Sequence, residues 1–146
     1  MQIFSQEQVV NSAIVGWGAR VMLLADATEP RDSKAGIRIA GLGGQIELRN
    51  DAFSAINALK ADLADFDLFV IECDPMGGLA ASEKLVALLR EDGVGMPVIL
   101  VSSECREQAF PQETCDPIIL RAPVSAVSLR VGFEHAMRDR TMFHAA

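Results

Sequence analysis

The sequence predicts one α/β domain: a five-stranded parallel sheet of order 2-1-3-4-5, helices on both of its faces, and a short N-terminal accessory helix. Three observations predict it. Apolar runs of strand length recur, segments with helical periodicity follow them, and glycines or prolines mark most of the joins. Strands that alternate with helices must run parallel, and right-handed crossovers restrict five of them to few orders. A chain of 146 residues, half of them hydrophobic, is long enough to bury one sizeable core.

The elements follow in order. Ser5 with Gln8 forms a capping box, and Phe4 and Val9 are placed as a hydrophobic staple. Val10, Ala13, Ile14 and Trp17 continue at helical spacing until Gly16 and Gly18, so residues 1–19 read as an accessory helix and linker. Val21 to Leu24 is the first strand, ending at Ala25-Asp26. Pro30 suits the first turn of a helix running to about Leu42, where Gly43-Gly44 stops it. Gln45 to Leu48 alternates as a strand. Asn50 or Asp51 can cap the next helix, whose stripe is Phe53, Ile56, Leu59 and Leu63. Leu68 to Ile71 is an uninterrupted apolar run, the mark of a strand buried on both faces.

Leu85, Val86, Leu88 and Leu89 mark a third helix, closed by Gly93 and Gly95, and Pro97 to Val101 is a fourth strand. Pro111 interrupts the stretch 102–117, which reads as one or two turns and a loop. Ile118 to Leu120 is the fifth strand. Val124, Ser125 and Leu129 repeat the staple and cap, opening a helix to about Arg140. The domain body is therefore 20–140, with a loose tail at 141–146.

Composition narrows the function classes. Twenty acidic residues against thirteen Lys and Arg give a net charge of −7, and no basic run occurs. Nucleic acid and anionic membranes are poor partners for such a chain. No apolar run approaches the roughly 20 residues of a membrane helix. Three cysteines, an odd number without metal-type spacing, read as reduced thiols, which together with the absence of a signal-like N-terminus predicts a cytoplasmic protein. His135 and His144 have no Cys or Ser partner at a recognisable spacing, and the glycines at 41–44 follow a helix instead of opening one. The sequence thus predicts no enzyme.

In a sheet of order 2-1-3-4-5, functional groups gather at the carboxyl ends of strands 1 and 3. Those ends are Asp26 and Glu72, the latter within DLFVIECDPMGG at 67–78. RVMLLAD, DLFVIE, PVILVSS and LRAP, in this order and spacing, resemble the receiver domain of bacterial two-component response regulators, whose fold is flavodoxin-like. The resemblance covers about Arg20 to Arg140. It implies a phosphotransfer pocket in which two acids after strand 1 help hold Mg²⁺ and an aspartate ending strand 3 accepts the phosphoryl group. A hydroxyl ends strand 4, and a lysine precedes a proline after strand 5. Carried over residue by residue, Asp26 matches one acid, Ser102 the hydroxyl and Pro123 the proline, which the resemblance makes a candidate for a cis bond. Ala25 replaces the other acid, Glu72 replaces the acceptor, and Ala122 stands where the lysine belongs. Ile119 occupies the place of the family's aromatic switch residue.

Each departure weakens phosphotransfer. A hard cation is held by the number of charged oxygens around it, so Asp26 and Glu72 alone make at most a weak Mg²⁺ site. Glutamate sets its carboxylate about 1.5 Å farther from the backbone than aspartate, and a misplacement of about 1 Å can cost on the order of a hundredfold. Arg121 neighbours Ala122, but adjacent strand residues face opposite ways, so it does not replace the lysine. Asp74 reads as an Asp-Pro turn opener with nothing to fix its orientation, and Asp67 as an acid at a strand start.

The sequence therefore predicts a non-catalytic, phosphorylation-independent pseudo-receiver without a required cofactor. It would act as a protein–protein interaction module through Ile119, Arg121, Val127 and Arg130, beside an eroded helix before the fifth strand. The resemblance implies a histidine kinase, a phosphotransferase, another regulator or a second copy of this chain as partner. Two rivals stand beside it. One is a working receiver built on Asp26, Glu72 and Asp74, with Asp74 as acceptor. The other is a flavodoxin-like small-molecule binder with a roomy pocket at the ends of strands 1 and 3.

Overall fold

The structure, a computed structural model, describes residues 18–62, 65–113 and 115–145, with side chains as far as Arg138. The expected N-terminal helix lies outside the described residues, as does Leu63. The strands are β1 (Arg20–Leu24), β2 (Gln45–Arg49), β3 (Leu68–Glu72), β4 (Val98–Ser102) and β5 (Ile118–Arg121). The helices are α1 (Lys34–Gly41), α2 (Ala52–Ala61), α3 (Leu79–Glu91) and α4 (Ala126–Ala145). All strand pairs are parallel and the order is β2-β1-β3-β4-β5, as the sequence predicts. No helix among the described residues is long and apolar enough to cross a membrane.

The alternation within each strand builds two cores, one on each face. Val21, Leu23, Leu68, Val70, Ile99, Val101, Ile118 and Leu120 pack under α1 and α4, against Ala35, Ile39, Leu129 and Phe133. Met22, Leu24, Phe69, Ile71, Val98 and Leu100 pack under α2 and α3, against Ala55, Leu59, Val86 and Leu89. Burying each large apolar side chain contributes about 1.5–3 kcal/mol. Because successive strand residues serve opposite cores, β3 is completely buried from Leu68 to Ile71.

Several local expectations are corrected. Pro30 starts a short 3₁₀ turn over Pro30–Asp32, not the helix itself. The helix starts at Lys34, capped by Ser33, whose hydroxyl accepts from the Gly36 amide at 3.0 Å. Of the two candidate caps for α2, Asp51 serves, accepting from Ser54 N at 2.8 Å. Phe53 is 77% exposed and does not belong to the buried stripe of its helix. Leu59 is buried and Ile56 packs on the core as expected, and Ala55, four residues before Leu59, joins that face. The last helix continues to Ala145, past the expected end at Arg140, because 141–145 contains no glycine or proline to stop it.

The link between β4 and β5 is a loop with turns, as expected, but it makes a contact the sequence did not predict. The described residues there contain no helix. The 105–111 segment instead crosses the outer edge of β5 as a strap. Ala109 and Ile119 form an antiparallel bridge, with N–H to O distances of 2.9 and 3.0 Å in the two directions. Phe110 packs on the α4 side of the core and meets the His135 ring edge-on at 6.0 Å. His135 Nε2 lies 2.6 Å from the Pro111 carbonyl, to which it donates.

Candidate functional site

Parallel strands end together at their carboxyl edge, and the helices that follow them start there. Glu72 is level with Val101, and Val101 with Leu120, so these residues share one face of the sheet. Val101 and Leu120 belong to the core under α1 and α4, and Ala25 at the end of β1 joins them. A cleft of about 270 Å³ opens above this core. Its walls are Lys34 and Ala35 of α1, Glu72, Asp74, Val101, Ser103, Ala122, Pro123 and Val124.

The Glu72 carboxylate lines this cleft together with Val101 and Ser103. It accepts a hydrogen bond from the Ser33 hydroxyl, the same group that caps α1. Gly36 permits this arrangement, since a Cβ there would lie 2.2 Å from the Pro30 carbonyl oxygen. The acid at the end of β3 is thereby tied to the loop between β1 and α1.

Asp74 differs from expectation, because its orientation is fixed. The Ser103 amide reaches both of its oxygens, at 3.1 and 3.3 Å, and Asp74 opens the 3₁₀ turn Asp74–Met76. Ser103, to which the sequence assigned no role, lies on the cleft next to the expected Ser102. Ser102 is fully buried and its hydroxyl accepts from the Glu104 amide at 3.0 Å, whereas Ser103 lines the cleft. The period of two explains this placement, because Ser103 extends the face of Ile99 and Val101. Glu104 in turn accepts from Leu79 N at 3.1 Å and caps α3, a role the sequence reading missed. Gly78, at φ 96°, makes room for it, since a Cβ would lie 2.6 Å from the Glu104 oxygen.

Asp26 is exposed and stands outside the cleft wall. Ala122 and Pro123 lie in that wall, and their peptide bond is cis. Arg121 points away: its Nε donates to Cys105 O at 3.2 Å and its Nη2 to Arg106 O. The cation at the cleft is Lys34, which sequence reasoning missed because it comes from α1 and not from β5. Lys34 makes no ion pair within 4.0 Å among the described residues. Cys73, between the two acids, faces the other core, and burial pushes its thiol up to about 11.

Five parallel strands in this order form a flavodoxin-like sheet, with polar groups gathered at the carboxyl ends of β3 and β4. The solved structures agree. The chain superposes on a response regulator receiver domain protein from Clostridium thermocellum with a TM-score of 0.63 and 13% identity, covering 85% of this chain and 98% of that one. The fold is that of a receiver domain. The receiver domain of the histidine kinase CKI1 from Arabidopsis thaliana, solved with Mg²⁺ and BeF₃⁻, matches at a TM-score of 0.56 and 15% identity, over 91% of this chain and 95% of that one. An aspartate-to-glutamate variant of that domain matches equally, at 0.56 and 17%, covering 82% and 90%. No protein-family model and no curated protein matches the chain.

The receiver fold raises the question of Mg²⁺. Such an ion needs several oxygen ligands converging at about 2.1 Å. Among the described residues no three His, Cys, Asp or Glu side chains come together as ligands, and Glu72 is engaged by Ser33 while Asp26 stands outside the cleft.

The strap crosses the β5 part of the expected partner face. The strap engages Ile119 through its backbone on both sides, and Arg121 N donates to Gln108 Oε1 at 3.0 Å. Both outward N–H groups of β5 are therefore satisfied within the chain. Val127, 73% exposed, Arg130 and Val131 remain open on α4, with Arg130 paired to Glu134 at 3.4 Å.

Proposed function

We propose that the chain is a non-catalytic, phosphorylation-independent pseudo-receiver, a cytoplasmic interaction module of bacterial signal transduction that needs no metal. One observation carries the reading. A glutamate, Glu72, holds the place of the phosphoacceptor, and its carboxylate accepts a hydrogen bond from Ser33. The methyl group of Ala122 stands where the receiver resemblance calls for a paired cation. Output then passes through association, and the exposed face of α4 around Val127, Arg130 and Val131 is the surface for it. The partner is a histidine kinase, a phosphotransferase, another regulator or a second copy.

A specific observation favours a second reading. Asp74, Ser103 and Lys34 offer an acid, a hydroxyl and an ammonium on one cleft, each displaced from the family position. An atypical receiver would use Asp74 as the acceptor. Incubation with a small phosphodonor and Mg²⁺, followed by intact-mass measurement, separates the two readings. The pseudo-receiver gains no phosphoryl group. A stable gain that Asp74→Ala abolishes overturns it in favour of the second.

A further inference from the structure

Beside the cleft, and sharing with it only the turn at Ala122 and Pro123, lies a second cavity of about 410 Å³ between the strap, β5 and the start of α4. Arg106 and Arg121 both line it, with Gln108, Ser125, Ser128 and one acid, Glu107. The local charge of its wall is positive in a chain whose net charge is −7. In so acidic a molecule the general field repels anions, so two guanidinium groups gathered at one cavity mark a site of opposite character.

Hydrogen bonds tie Arg121 to the strap. The Arg121 side chain donates to the carbonyls of Cys105 and Arg106, which fixes it against the strap peptide that carries Arg106. Its Nη1 has no partner among the described residues, and Arg106 makes neither a hydrogen bond nor an ion pair through its guanidinium there. Ser125 Oγ accepts from Ser128 N at 3.0 Å, which leaves the Ser125 hydroxyl proton to donate outward. Ser128 adds a second hydroxyl. The wall thus offers planar, charged N–H donors and two O–H donors from three separate elements, a set that matches a tetrahedral oxyanion with several acceptor oxygens.

We propose that this cavity is a binding site for a phosphate-type oxyanion, free or as the phosphomonoester of a small molecule. Bound there, the anion bridges Arg106 on the strap, Arg121 on β5 and Ser128 on α4. It therefore clamps the strap over the β5 edge. Binding to the closed strap alone lowers the population of the open one by linkage. The site regulates access to β5 by a route separate from the Glu72 cleft, so the proposal stands or falls independently of the pseudo-receiver reading.

The test is an amide-resolved NMR titration with inorganic phosphate, matched at every point by sodium chloride of equal ionic strength. Saturable shifts at Arg106, Arg121, Ser125 and Ser128 are expected with phosphate and not with chloride. Arg106→Ala should weaken binding tenfold or more, and Arg106→Lys by less, because lysine keeps the charge without the fork. Lys84→Ala, on α3 and outside the cavity, should leave it unchanged. Phosphate should also slow tryptic cleavage after Arg106. A parallel titration with ribose 5-phosphate assigns the source: tighter binding than phosphate indicates a small-molecule ester, equal or weaker binding the free ion. Shifts that fail to saturate at tens of millimolar, shifts that chloride reproduces, or unchanged affinity in Arg106→Ala would each overturn the proposal.

Discussion

The carboxyl-edge cleft and the outer edge of β5 are built from the same strands, yet they are finished differently. At the cleft, Glu72 and Asp74 are each held by one neighbour, Ser33 and the Ser103 amide, while Lys34 has no ion partner among the described residues. At the β5 edge, every outward backbone donor is bonded: Ile119 to Ala109, and Arg121 to Gln108. The difference teaches which region bears on stability. An exposed strand edge invites pairing with other chains and must be covered. A solvated acidic cleft carries no such hazard, so its residues can lose a function without unfolding the domain.

That contrast is breakable by substitution, and the edge should respond most. Ala109→Pro removes the N–H that bonds Ile119 O at 2.9 Å and imposes a ring on the bridge. It should lower unfolding free energy by about 1–3 kcal/mol and promote self-association through the freed edge. Urea unfolding and sedimentation at several concentrations measure both. A variant as stable and as monomeric as the parent would show that the strap is ornamental.

The cleft should be cheaper to alter. Ser33→Ala removes the α1 cap and the hydroxyl that Glu72 accepts, and should cost about 1 kcal/mol. Glu72→Gln keeps an oxygen acceptor and should change stability by less than about 0.5 kcal/mol. If Glu72→Gln proved the costlier of the two in urea unfolding, the cleft charge would be part of the structural framework and the contrast would fail.

Between these acids, Cys73 sharpens the comparison by pH. Burial raises its thiol from 9.0 to about 11, so the neutral thiol is the form the fold favours. The unfolded chain releases that proton first as pH rises. The stability Cys73 contributes is therefore complete below about 9 and is lost as pH rises from there through about 11. Unfolding at pH 8 and at pH 10.5 should differ less in Cys73→Ala than in the parent. The exposed Cys115 should meanwhile react with a thiol reagent far faster than Cys73.

Most of the fold was legible because it depends on period and punctuation. The apolar runs 21–24, 68–71 and 97–101 gave the central strands, and alternation within them assigns Leu68 and Phe69 to opposite cores. The cleft was legible only where a residue lies inside a strand or next to it, as at Glu72 and Ala122. Ser103 lines the cleft because face, not motif position, decides what lines a cavity. A count in twos back from Ser103 to Val101 would have found it. Lys34 could not be read from β5, since it arrives by the packing of α1 across the cleft. The strap was invisible for another reason. Its tie to β5 is one bridge and a few side-chain bonds, which leave no period in 105–111.

The smallest effect on stability should come from Ala122→Lys. Ala122 is half-buried at the cleft wall, with Glu72 and Asp74 on the same cavity and open solvent above it. A lysine stem can lie along the apolar wall of Val101 and Val124 while its ammonium stays in water. The fold should therefore change by no more than about 0.5 kcal/mol in either direction. Any attraction to the two acids is partly exposed and should fade as salt is added, given a screening length of about 8 Å at physiological ionic strength. Thermal unfolding at low and high salt measures this. A loss of several kcal/mol would mean that the cleft tolerates only a methyl group there, and that its shape, like the β5 edge, is held by packing.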